Sequence, residues 1–153
     1  MTTITGIPAH ALLLHAIVVL APLTALLEML CALWPAARRR LVWLVLAFAA
    51  VTLALTPLTI QAGQWLYDQQ AKPPAILQTH AERGHWMIYF SVGLLAVALA
   101  LVVLHWLTGR SDAPQMAAKV VVAVLALVVG VSTIVGVVRI GDAGSEAVWG
   151  RTD

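Results

Sequence analysis

The stretch WMIYFSVGLLAVALALVVLHWL, residues 86–107, contains no Asp, Glu, Lys or Arg and carries a tryptophan near each end. A helix of this length rises about 33 Å, enough to cross about 30 Å of hydrocarbon. Its Leu, Ala and Val follow one another without alternation, so it reads as a membrane-crossing helix and not as a barrel strand. Three further stretches read the same way: residues 11–34, 41–64 and 119–138.

Composition agrees with that reading. Of 153 residues 61% are hydrophobic and 10% charged, with a net charge of +2, and the mean hydropathy is +0.93. Soluble domains carry about a quarter charged residues. Too little polar surface is left to cover a water-soluble globule, which excludes soluble, disordered and nucleic-acid-binding classes. The single cysteine, Cys31, lies in an apolar run and leaves no disulfide framework or multi-cysteine metal site. Residues 1–153 are therefore expected to form one all-α domain, an integral membrane four-helix bundle. Short connections favour an up-down-up-down path.

The six tryptophans (Trp34, Trp43, Trp65, Trp86, Trp106, Trp149) fall at or just beyond the span ends, where headgroups favour them. The first connection holds Arg38, Arg39 and Arg40, and the third holds Arg110 and Lys119 against Asp112 alone. On the other side Lys72, Arg83, Arg139 and Arg151 are balanced by Asp68, Glu82, Asp142, Glu146 and Asp153. The positive-inside rule then predicts both termini outside, in a bacterial-type cytoplasmic membrane. The first span is too long and wrongly flanked for a cleaved signal peptide.

Local signals fill in the helices. Pro8 suits the first turn of helix one and Pro114 that of helix four. Thr79-His80-Ala81-Glu82 reads as a capping box opening helix three. Pro57 should kink helix two, and Ser132 with Gly136 forms a small-xxx-small pair for close approach.

Helix one opens His10-Ala-Leu-Leu-Leu-His15 and helix three opens His80-Ala-Glu-Arg-Gly-His85, 70 residues later. Ile60-Gln-Ala-Gly63 before Trp65 is echoed by Ile140-Gly-Asp-Ala-Gly144 before Trp149. Both echoes fit a parallel duplication of a two-helix unit, set against chance similarity between alanine-rich helices.

Polar residues collect at one end of the four spans: His10, His15, Gln61, Gln64, Tyr67, His80, His85, Arg139 and Asp142. The other end offers Glu28 within the hydrocarbon and His105, an interfacial anchor beside Trp106. Ionisable residues inside a membrane point to function because burying them is costly. His15 lies about 7 Å deeper than His10 and about 140° around the helix from it, so one histidine from each pair is the natural set. Two imidazoles facing each other across a bundle can ligate a haem iron axially, and two with Asp142 could hold a transition metal. Interfacial hydrogen bonding, with no cofactor, is the plainer role. Arg139 can snorkel to water or meet a haem propionate. Glu28 is expected to be neutral or hydrogen-bonded, with Thr52 or Thr56 as partners.

No phosphate loop, nucleophile elbow or His-Glu-x-x-His helix is present, so no catalytic residue is assigned. From Gly6 to Gly150 the chain resembles the small predicted membrane proteins of domain-of-unknown-function family 2231. The resemblance rests on Gly6-Ile-Pro-Ala-His10 with His15 following, and on Arg139-Ile-Gly-Asp-Ala-Gly-Ser-Glu-Ala-Val-Trp-Gly150. Ala11 stands where the family usually has proline, and Asp142 where a histidine is common. The resemblance implies four helices in a membrane and, through relatives joined to Rieske-type or cytochrome domains, a redox setting.

The leading expectation is a redox-associated protein holding haem b, or else a metal ion, near the extracytoplasmic face. His15 and His85 are the foremost ligands, with His10 and His80 as alternatives. Its surroundings would be lipid and a redox protein or another membrane subunit. A structural or binding subunit without cofactor is a second expectation, and a small transporter using Pro57, Glu28 and the polar end a third.

Overall fold

The structure, a computed structural model, describes residues 3–4, 7–110 and 115–150. A short antiparallel hairpin, β1 (Thr3–Ile4) and β2 (Ile7–Pro8), precedes five helices: α1 (Ala9–Leu33), α2 (Pro35–Asp68), α3 (Ala75–His85), α4 (Met87–Arg110) and α5 (Met116–Trp149). Four stretches are long and apolar enough to span a membrane: His10–Leu33, Pro35–Asp68, Ala75–Arg110 and Met116–Glu146. Within a bilayer the backbone has no water to bond, so each segment satisfies its own amides as helix.

A single residue, Trp34, reverses the chain between α1 and α2. It is extended (φ −121°, ψ 104°) and is followed by Pro35 at the head of α2. Proline disfavours a helical conformation in the residue before it and is itself pre-shaped for a first helical turn. Arg38, Arg39 and Arg40, expected in a loop, therefore belong to the start of α2. The third span is α3 and α4 together. Around Trp86 the hydrogen bonds tighten, Trp86 to Arg83 and Tyr89 to Trp86, both at 3.0 Å.

Two expected helix starts are corrected. Pro8 pairs with Thr3 in the hairpin and so lies outside α1. Helix α3 begins at Ala75 behind an extended Pro74, without a side-chain cap. Thr79 is already inside that helix, and its hydroxyl donates to the Ala75 carbonyl (3.2 Å), so no capping box forms. Both α1 and α2 continue through a proline, Pro22 and Pro57. Pro114 lies outside the described residues.

α1 packs on α2 and α5, and α4 packs on the same two helices. α1 and α4 also meet across the centre, so α2 and α5 occupy the long diagonal. Fully buried small residues line the seams (Ala21, Ala25, Ala49, Ala98, Ala126), with Val42, Val45, Leu94 and Leu101 filling between them. Valines and leucines cover the outside, where lipid tails replace water, so close packing and not water exclusion holds the helices together.

Glycine sets the tightest approaches. A Cβ at Gly130 would meet the Met29 side chain at 3.2 Å, and one at Gly136 would overlap the Phe90 ring. Ser132, the expected partner of Gly136, is exposed. Gly136→Val is expected to destabilise the bundle by about 1–3 kcal/mol through overpacking, seen as a lower unfolding midpoint in detergent.

The two halves repeat in register. With the 70-residue offset, buried Ile17, Ala21, Thr24, Glu28 and Cys31 of α1 match buried Met87, Ser91, Leu94, Ala98 and Leu101 of α4. With an offset of 81, buried Val45, Thr52, Thr56 and Thr59 of α2 match Ala126, Thr133, Val137 and Ile140 of α5. The bundle is thus two parallel copies of one two-helix unit related by a pseudo-two-fold axis along the helices.

Register also moves Glu28 away from its expected partners. His10 of α1 bonds the Thr59 carbonyl of α2, and the helices run antiparallel from the reversal at Trp34. Glu28 then lies level with Leu41 and Val42, while Thr52 lies level with Ile17, about 16 Å away along the axis. Thr52 and Thr56 instead donate to the Phe48 and Thr52 carbonyls of their own helix, at 2.8 and 2.7 Å.

Candidate functional site

A cavity of about 630 Å³ opens at the end of the bundle where α1 and α3 begin and α2 and α5 end. All four histidines of the two echoed motifs line it. Among the described residues its walls carry no Asp, Glu, Lys or Arg. Leu14, Ile17 and Met87 supply apolar surface, and Gln64, Tyr67 and Ser145 supply polar groups.

His10 and His80 meet near the pseudo-two-fold axis, with ring centroids 6.4 Å apart and planes at 80°. Each is half-buried. His10 Nδ1 donates to the Thr59 carbonyl and His80 Nδ1 to the Ile140 carbonyl, both at 3.1 Å. Thr59 and Ile140 occupy matching positions in the two units. Four residues further along, Gly63 and Gly144 make room for the rings. A Cβ at Gly63 would stand 2.8 Å from His10 Cε1, and one at Gly144 would stand 2.9 Å from His80 Cε1.

His15 and His85 bond within their own helices. Their Nδ1 atoms donate to the carbonyls of Ala11 (2.6 Å) and Ala81 (2.8 Å). A carbonyl only accepts, so all four contacts require a proton on Nδ1; a neutral ring so bonded would carry its lone pair on Nε2. Four imidazoles in one tautomer therefore border one cavity. A hydrogen bond at the far nitrogen is also what orients a histidine for metal ligation.

The pair at the axis is not the pair placed foremost by sequence. The inward stripe of α1 runs His10, Leu14, Ile17, Ala21, Thr24, Glu28, in steps of four and three residues. His15 falls off that stripe, as His85 does in the second unit, and both are exposed. Asp142 is exposed and absent from the cavity wall. Among the described residues no group of three or more His, Cys, Asp and Glu converges on a point where a metal ion could sit. Arg139 is exposed, and its carbonyl accepts from Arg83 (3.5 Å). Gln64 turns to Asp68, donating to Oδ1 at 2.8 Å. His105 lies at the opposite end, half-buried.

The sequence reading passed over two parts of this site, the carbonyls of Thr59 and Ile140 and the cradling role of the two glycines. The glycines were visible in the echo between Ile60–Gly63 and Ile140–Gly144, but not what they faced.

The family model described as "Predicted membrane protein (DUF2231)" matches residues 6–152. No curated protein and no solved structure matches the chain.

Proposed function

For this chain, which belongs to the DUF2231 family of predicted membrane proteins, we propose a redox-associated role, with haem b held in the cavity by His10 and His80. The observation that carries this reading is the paired, oppositely anchored imidazoles. Two imidazoles on one iron have ring centroids about 6 Å apart, against 6.4 Å for this pair. A bare metal ion wants three or four protein donors, whereas a haem needs two because its porphyrin supplies the rest. The cavity is within the usual range of cofactor sites, about 300–1,000 Å³.

Haem, when bound, supplies a one-electron couple. The protein contributes orientation and surroundings. The Thr59 and Ile140 carbonyls hold the imidazole protons on Nδ1 and raise the basicity of Nε2. Leu14, Ile17 and Met87 keep the inner wall apolar, while the Tyr67 hydroxyl and the second amide proton of Gln64 would be the donors to propionates. The excess of basic residues at the far end supports an orientation with the cavity facing the extracytoplasmic side, within reach of a redox partner there.

The test is the full chain expressed with haem supply and purified in detergent. The expected result is a Soret band that shifts on reduction and about one haem per chain as the pyridine haemochrome. A colourless protein after haem reconstitution would overturn the reading. His10 and His80 would then only tie α1 to α2 and α3 to α5.

A further inference from the structure

The pseudo-repeat provides an internal comparison at the opposite, arginine-bearing end. There the two units diverge in chemistry at matching, fully buried positions: Thr24, Glu28 and Cys31 in the first unit, and Leu94, Ala98 and Leu101 in the second. Ala98 shows that the bundle closes at this register without a carboxyl. Glu28 nonetheless has no exposed surface, and neither of its oxygens has a hydrogen-bond partner among the described residues. An ionised carboxylate in such surroundings is costly unless paired, so the neutral acid suits the arrangement as it stands.

A cation waits one turn away. Arg38, in the first turns of α2, is only 3% exposed, and its Nη1 donates to the Cys31 carbonyl at 3.3 Å. Cys31 follows Glu28 by three residues, about 4.5 Å along the axis. Among the described residues Cys31 is the other buried titratable group at this level, and Arg39 and Arg40, beside Arg38 in α2, are exposed. α4 and α5 bury Ala98, Leu101, Val122 and Ala126 there, and the half-buried His105 and Lys119 lie nearer the helix ends.

We propose that Glu28 is a proton-binding site that exchanges with the arginine-bearing face, with Arg38 as the counter-ion of its deprotonated form. On release, the carboxyl O–H bond breaks, the electron pair stays on the carboxylate, and the proton passes to water at that face. The guanidinium leaves the Cys31 carbonyl and pairs with Glu28, so the local charge falls from that of a lone arginine to that of a neutral ion pair. The site is separate from the haem cavity, whose deepest α1 residues, Ile17 and Val18, stand about 15 Å away along the helix.

Two measurements on the full chain in liposomes test this. Dicyclohexylcarbodiimide, an apolar reagent that attacks protonated carboxyls, is expected to modify Glu28 at neutral pH, mapped by peptide mass. In an infrared pH titration, the carboxylic C=O band that is absent in Glu28→Gln is expected to bleach as pH rises. In Arg38→Met the same bleaching should need a pH about 1–3 units higher, because the carboxylate has lost its cation. Arg38→Lys should move it less. If Glu28→Gln fails to fold, the carbodiimide adduct of the unaltered chain identifies the residue, and the Arg38 variants carry the comparison. An unmodified Glu28, a band that persists up to alkaline unfolding, or a titration indifferent to Arg38→Met would each overturn the proposal.

Discussion

The His10→Ala/His80→Ala double variant is expected to purify without haem, losing the Soret band entirely, while His15→Ala/His85→Ala keeps it. His10 and His80 are the rings that face each other at the axis, and each is anchored to a carbonyl on a neighbouring helix. His15 and His85 are anchored to their own helices on the flank. Second-layer hydrogen bonds around a ligand are worth about 10–100-fold in affinity, so removing both ligands costs more than that. Each single variant should leave a five-coordinate haem with a high-spin spectrum. Folding should survive in all of them. The Thr59 and Ile140 carbonyls keep their helical amides when the imidazoles go, so each lost bond costs about 0.5–1.5 kcal/mol. Haem content by pyridine haemochrome and the unfolding midpoint, measured on the same samples, separate the two effects. Haem loss in the His15/His85 variant with retention in the His10/His80 variant would reverse the assignment.

Filling the glycine cradles is expected to act almost as strongly without touching a histidine. Gly63→Val places its Cβ against the His10 ring and Gly144→Val against the His80 ring, at the 2.8 and 2.9 Å approaches already described. The edge of each ring that faces the glycine carries Nδ1, 3.0 Å from a Cβ at Gly63 and 3.1 Å from one at Gly144, and that atom makes the carbonyl bond, so the ring cannot back away and keep it. Either the Nδ1 bond breaks or the helices part. The expected outcome is a haem affinity at least about tenfold lower and a stability loss of about 1–3 kcal/mol in each variant, with a greater loss when both are combined. Gly109→Ala is the control, because a Cβ there meets nothing within 4 Å. Absorption titrations with haem and thermal unfolding in detergent provide the readouts. A Gly63→Val protein that binds haem normally would mean that the His10 ring is free to occupy another position.

The histidine pairs show how far reading along the chain can go. The spacing His10 to His15 and His80 to His85 exposes the repeat, and helical geometry shows that the members of a pair cannot share one small ligand. Which member turns inward depends on the rotation of α1 and α3 about their own axes. Apolar residues surround both histidines of the first pair, and those of the second lie in the mixed segment Gln78–Trp86, so hydropathy leaves that rotation open. The stripe from His10 to Glu28 becomes visible once buried positions mark it. Asp142 was a reasonable metal ligand by type, yet it lies on the exposed side of α5, away from the cavity. Likewise the Glu28–Thr52 pairing failed on register alone. With α1 and α2 joined by the single residue Trp34, their matching levels are fixed, and the two side chains are separated along the axis.

By itself the amino-acid order determined the number of spans and their approximate ends, because transfer into a bilayer is judged segment by segment and each helix satisfies its own backbone; it raised the repeat without deciding it against chance similarity. Only the tertiary structure decided which imidazoles meet, that Gly63 and Gly144 cradle them, and that Glu28 is buried without a hydrogen-bond partner among the described residues, about one turn along the helix axis from the carbonyl that holds Arg38. Those outcomes depend on the rotation and relative depth of neighbouring helices, which are set by the small residues at their seams and not by the hydropathy of any one segment.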